Sequence, residues 1–174
     1  MGKVLLAEEN GVNVLKLVGD IRLTLGPTLG GFISRIGHTD AIRSIVIDLS
    51  ETECIDSTAL GLLAKLSLRS QEALNRVPVI VSPREDISRI LSSMGFEDVF
   101  VIVHVAQAAG GLEGCEKDEL PTQLASEEVL CDQVLEAHRV LMSLNAENAE
   151  RFAELVDALE AEKSKEPPRL RLVR

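Results

Sequence analysis

The stretch Ser44–Asn75 reads SIVIDLSETECIDSTALGLLAKLSLRSQEALN. It opens on an apolar run, Ile45-Val46-Ile47, that closes on Asp48-Leu49-Ser50. β-Branched residues pack well on a pleated surface, so this run predicts a strand. A polar turn and Cys54-Ile55 follow, then Asp56-Ser57-Thr58 at the head of a long run with helical spacing. The side-chain oxygens of Asp, Ser and Thr accept bonds from the unpaired N–H groups of a first helical turn. A helix is therefore predicted over Ser57–Asn75.

At 100° per residue, Ala59, Leu62, Leu63, Leu66 and Ala73 share one face of that helix, which is its core face. Leu60, Ala64 and Leu68 fall on the far side, in the same sector as Ser57. Apolar residues on an outward face call for a cover. Two covers are available. One is a partner protein, which makes Leu60, Ala64 and Leu68 a partner-binding surface with Ser57 at its edge. The other is the C-terminal helix of the same chain.

The run VIDLSETECIDSTALGLLAKL resembles the signature of the STAS domains, and in particular of the bacterial anti-sigma factor antagonists. In that family an Asp-Ser-[Ser/Thr]-Gly-Leu motif follows a central strand and opens a helix. The Ser after the Asp is the one a partner kinase phosphorylates. The resemblance implies phosphorylation at Ser57, with Asp56 and Thr58 as its neighbours in the switch motif. Ala59 stands where the family usually has Gly, a mild change within a helix because Ala is the better helix former.

The resemblance covers residues 1–105, and it implies an α/β STAS fold: a mixed β-sheet with helices packed on it, in β-β-α-β-α-β-α-β order. It also implies a function. The unphosphorylated protein would bind an anti-sigma factor or a GHKL-type serine kinase and so free a sigma factor for transcription. The kinase would phosphorylate Ser57 and a PP2C-type phosphatase would reverse it. STAS domains also serve as accessory subunits of transporters and of stress-signalling assemblies, so a non-switching scaffold is the alternative.

The residues agree with that fold order. Val4-Leu5-Leu6 and Val12–Val18 read as strands around Asn10-Gly11, a dipeptide that tolerates φ > 0 and marks a hairpin. Thr24–Pro27 reads as a turn into a short helix that buries Phe32, Ile33 and Ile36. Ser44–Leu49 is apolar enough for a central strand covered on both faces. Val77–Val81 is a further strand, Arg84–Met94 a helix stopped by Gly95, and Val99–Val103 a last strand. Alternation of strand and helix after a hairpin predicts a sheet with a parallel part.

Residues 106–125 read as a linker of Ala, Gly and acids ending near Pro121, and residues 126–162 as a helical extension. Ser126 is placed to cap it, and Leu130, Val134, Ala137, Leu141 and Leu144 form one apolar seam. Phe152, Leu155, Val156 and Leu159 continue the helical period after a slip near Asn145–Asn148, so the extension is one bent helix or two. Its seam needs burial, which suits homo-oligomerisation or partner binding. Residues 163–174 carry Pro167-Pro168 and mixed charge and read as a disordered tail.

Composition narrows the function classes. Of 174 residues 45% are apolar, with no Trp or Tyr, so the core is aliphatic. The net charge of −10 argues against nucleic acid and anionic membrane surfaces as partners. Residues 1–105 hold 10 Lys and Arg against 13 Asp and Glu, a net of −3, which leaves −7 on the remainder. Cys54, Cys115 and Cys131 are widely spaced and form no metal or disulfide pattern, which fits a reducing cytoplasm. No apolar stretch is long enough for membrane insertion, and no signal peptide is evident.

The chemistry of the motif favours binding over catalysis. A Ser hydroxyl needs an adjacent base to become a nucleophile. His38, His104 and His138 lie in different predicted elements, and nothing in the sequence brings one to Ser57. A phosphate at a helix N-terminus, by contrast, meets free N–H groups and the positive end of the dipole. Asp56 would add like-charge repulsion toward an acidic partner. The plainer reading is that Asp56 and Ser57 only cap the helix. Asp48 ends the central strand, where a phosphoaspartate receiver would put its acceptor. Such a site would use Glu8 or Glu9 and a Lys after Val77–Val81, but Ser82-Pro83-Arg84 follows instead. Asp48 therefore reads as a structural acid bonded to the next loop. No glycine-rich phosphate loop or metal-ligand cluster appears, so no cofactor or metal is assigned and the chain is read as a non-enzyme.

Overall fold

The structure is a computed structural model and describes residues 1–105 and 116–165. Two strands, β1 (Lys3–Glu9) and β2 (Val12–Ile21), form an antiparallel hairpin. Asn10 (φ 52°) and Gly11 (φ 81°) make the turn, as the dipeptide predicts. A short 3-10 turn, Leu23–Leu25, leads into α1 (Gly26–Arg35), which has Pro27 in its first turn. Then come β3 (Ser44–Asp48), β4 (Thr52–Ile55) and α2 (Ser57–Leu74). After them the chain makes β5 (Val79–Val81), α3 (Glu85–Ser93), a 3-10 turn over Phe96–Asp98, and β6 (Val101–Val103). The described remainder is β7 (Asp118–Glu119), α4 (Glu127–Leu144) and α5 (Ala146–Lys165).

Among the described residues the sheet runs β6-β5-β3-β2-β1-β7. β2, β3, β5 and β6 are parallel, and β1 and β7 pair antiparallel at the other side. The fold is thus the mixed α/β arrangement expected from the sequence. β2 outlasts β3. Gly19, at φ 78°, marks a register shift where β2 leaves β3 and continues alongside β4. Thr52 fixes that junction: its hydroxyl donates to the Leu17 carbonyl at 2.8 Å. The four residues of β4 bury only Thr52 and Ile55, so they lack the apolar run of a central strand and read in sequence as a turn.

The aliphatic core lies between the sheet and the helices. Leu15, Leu17, Ile45 and Ile47 are fully buried against Ala59, Leu62, Leu63 and Leu66 of α2. One residue assigned to that core face, Ala73, is exposed, because the last turn of α2 runs past the sheet. Leu60 and Ala64, on the opposite face, are as buried as the core face, at 1% and 0% exposed. The cover is α4, whose Ala137 and Leu141 are also fully buried. The two helices meet with almost no side chain between them. A Cβ on Gly61 would stand 2.3 Å from the Ala137 carbonyl oxygen, so only glycine permits this approach.

The extension is two helices and not one bent one. Asn145 ends α4 in extended backbone, and its side-chain oxygen accepts the Asn148 N–H at 2.8 Å, which starts α5. Ser126 caps α4 by accepting the Val129 N–H. Within the segment read as linker, β7 pairs with β1 through Leu5–Glu119 and Leu6–Asp118. Residues 163–165, assigned to a disordered tail, are helical as the end of α5. Residues 106–115, with Cys115, and 166–174 lie outside the described residues. No helix among the described residues is long and apolar enough to cross a membrane.

Candidate functional site

The chain from β3 to α2 builds the site. β3 ends at Asp48, whose Oδ1 accepts the Ser50 N–H at 2.9 Å and turns the chain into the loop before β4. Lys16 of β2 reaches the same corner. Its Nζ lies 2.6 Å from Glu51 Oε1 and 4.0 Å from Asp48 Oδ2. The hydrogen bond from Lys16 holds the Glu51 carboxyl below its ordinary pKa of 4.5. Asp48 is thus a loop-closing acid and an ion-pair neighbour.

Beyond β4, Asp56 has extended backbone and is the N-cap of α2. One carboxylate oxygen accepts the Ala59 N–H at 2.8 Å, and the other accepts the Leu23 N–H at 2.8 Å. A single carboxylate therefore starts the helix and ties it to the turn before α1. Its own N–H donates to the Ile21 carbonyl at the end of β2. Ser57 is the first residue of α2 and half-buried, and Thr58 is 5% exposed. Of the two hydroxyls, the one at Ser57 is nearer the surface.

Ser57 is not free. Its hydroxyl lies 2.8 Å from His138 Nε2, a contact across 81 residues of sequence. His138 Nδ1 sits 2.6 Å from the Val134 carbonyl, one turn back in α4. A carbonyl only accepts, so Nδ1 carries the proton, and in the neutral ring Nε2 accepts from Ser57. His138 is 2% exposed, and the Phe152 ring of α5 meets it edge-on at 5.2 Å between centroids. This corrects the sequence reading, in which no histidine was placed beside Ser57. His38 and His104 do lie elsewhere, near Arg69 and Ser82 respectively. A signal for His138 was present: it stands four residues after Val134 and three before Leu141, a polar side chain inside the apolar seam of α4.

The same contact decides what covers α2. Leu60 and Ala64 are enclosed by α4 and offer no open surface in this arrangement, while Leu68 stays 39% exposed. An ion pair lies at the rim of the joint: Lys65 of α2 pairs with Glu136 of α4 at 2.8 Å. Gln133 of α4 donates to the Gly26 carbonyl of α1, and Asn148 of α5 to the Met94 carbonyl after α3. Among the described residues no group of three or more His, Cys, Asp or Glu is placed to hold a metal.

Comparison with known proteins fits this geometry. The family model of the STAS domain matches residues 3–109. The chain belongs to the STAS domain family. Among solved structures, the anti-sigma factor antagonist SpoIIAA in its unphosphorylated form superposes with a TM-score of 0.50 at 17% identity, over 63% of this chain and 96% of that one. An anti-sigma factor antagonist from Mycobacterium paratuberculosis gives 0.51 at 23% identity, over 64% and 92%. The Bacillus cell fate determinant SpoIIAA in its phosphorylated form gives 0.50 at 16%, over 63% and 98%. Likeness at these identities establishes the STAS fold. No curated protein matches the chain.

Two outcomes follow from the site's polar contacts. Asp56→Ala removes both bonds made by the cap and lowers unfolding stability by about 2 kcal/mol, read by urea denaturation; an unchanged midpoint would contradict the capping role. Lys16→Met raises the Glu51 pKa toward 4.5, measured by NMR titration. Glu51 is depressed in the folded state, so the pair stabilises above pH 4.5 and loses that contribution as pH falls through the lowered value.

Proposed function

We propose that the chain is an anti-sigma factor antagonist switched by phosphorylation of Ser57. Unphosphorylated, it binds an anti-sigma factor or a GHKL-type switch kinase and so frees a sigma factor. The kinase transfers a phosphoryl group to Ser57, which ends binding, and a PP2C-type phosphatase restores it. The observation that carries the reading is the position of Ser57: first residue of α2, directly after the Asp56 cap, at the end of a strand–loop unit of a STAS domain. A phosphate there adds nearly two negative charges beside Asp56 and can draw on the helix N-terminus. The two SpoIIAA structures, one unphosphorylated and one phosphorylated, share this fold.

The Ser57–His138 pair does not favour a hydrolase. The third group is the Val134 carbonyl of the same helix and not a carboxylate, and the imidazole is buried against Phe152. A non-switching scaffold is the second reading, favoured by the burial of Leu60 and Ala64 beneath the chain's own α4.

Intact-mass and site-mapping spectrometry on protein purified from its own cells tests the switch. The expected result is one phosphate on Ser57 that is absent from Ser57→Ala, with Ser57→Asp losing at least tenfold in affinity for an anti-sigma factor that Ser57→Ala still binds. Absence of phosphate in every growth condition would leave the scaffold.

A further inference from the structure

We propose that the α4–α5 hairpin is a lid on the Ser57 face of α2, latched by the bond between His138 and Ser57, and that phosphorylation or partner docking there requires it to open. The inference deepens the switch reading and rests on it for the identity of the incoming groups. The closed contact itself is a matter of geometry.

Three observations carry it. The first is that the hairpin is an addition to a complete unit. The family model ends at residue 109, whereas α4 begins at Glu127. SpoIIAA is matched over 96% of its length by 63% of this chain.

The second is what the hairpin covers. It seats His138 on the Ser57 hydroxyl and Ala137 on Gly61, and it encloses Leu60 and Ala64. In the closed state the Ser57 Oγ proton is committed to Nε2, so an incoming phosphoryl donor meets α4 and not a free hydroxyl. A phosphate on Ser57 removes the donor of that bond and puts a bulky charged group where the hydroxyl now meets the imidazole at 2.8 Å. Phosphorylation and closure therefore oppose each other.

The third is the quality of the joint. Among the described residues, the buried side-chain polar atoms without a hydrogen-bond partner are Gln133 Oε1 and Asn148 Oδ1. Both belong to the hairpin, one on each helix, and both side chains also bond the STAS unit, at the Gly26 and Met94 carbonyls. Water satisfies them once the hairpin lifts, which lowers the cost of opening. Apolar contact holds the lid down, and these polar points weaken it.

Hydrogen–deuterium exchange on the full chain, read by mass spectrometry, tests this with wild type, Ser57→Ala and Ser57→Asp. The expected result is that α4 and α5 exchange at least tenfold faster than β2 and β3 in wild type, through an opening that leaves the sheet closed. Ser57→Asp should speed α4 and α5 by about a further tenfold while β2 and β3 keep their rates. Exchange of α4 and α5 at the same rate as β2 and β3 in all three proteins would overturn the proposal, because the hairpin would then open only when the whole domain unfolds. These readouts use no kinase. A missing phosphate in cells defeats the switch reading alone, and co-exchange defeats the lid alone.

Discussion

Helix α2 is apolar on both of its faces, and the rest of the molecule is arranged to cover both. The sheet takes Ala59, Leu62, Leu63 and Leu66, and α4 takes Leu60 and Ala64. A helix buried on one face needs only a sheet. A helix buried on two needs a second layer, and here the chain supplies it from its own C-terminal third. Gly61 sets how close that layer comes, since any side chain there would meet the Ala137 backbone. The position of α4 on α2 in turn places His138 at the first residue of α2. The contact at Ser57 is thus a consequence of helix packing, and it places a proton acceptor on the Ser57 hydroxyl.

Much of the STAS unit was legible in its sequence, for local reasons. Asn10-Gly11 supplies two positive φ values, Ile45-Val46-Ile47 has the composition of a covered strand, and Asp56 has a cap's chemistry directly before a helical period. Each signal lies within a few residues of the feature it specifies. β4 was missed because its residues carry no run of apolar side chains and its place is fixed from outside, by the Gly19 bend in β2 and the Thr52 hydroxyl. β7 is an acidic pair held as a strand only by its neighbour β1. Neither could be read from its own residues.

The candidate site divides in the same way. The Asp48–Ser50 and Asp56–Ala59 bonds join groups close in sequence and follow from residue type and position, whereas the Asp56 bond to Leu23 spans 33 positions. The Ser57–His138 contact spans 81 positions and depends on the register of α4 against α2, which no local pattern reports. Two clues pointed toward it separately: an apolar outer row on α2 in need of a cover, and a histidine inside the seam of α4. Only the fold joins them. Of the two covers the sequence offered for that row, a partner or the chain's own C-terminal helix, the structure has the second over Leu60 and Ala64.

The most direct test of this account is a double-mutant cycle between Ser57→Ala and His138→Ala, with unfolding free energies from urea denaturation of the full chain. If the hydroxyl and the imidazole are bonded beneath the hairpin, the two changes couple by about 1–2 kcal/mol. Strictly additive effects, with a coupling near zero, would contradict it and separate the C-terminal helices from Ser57.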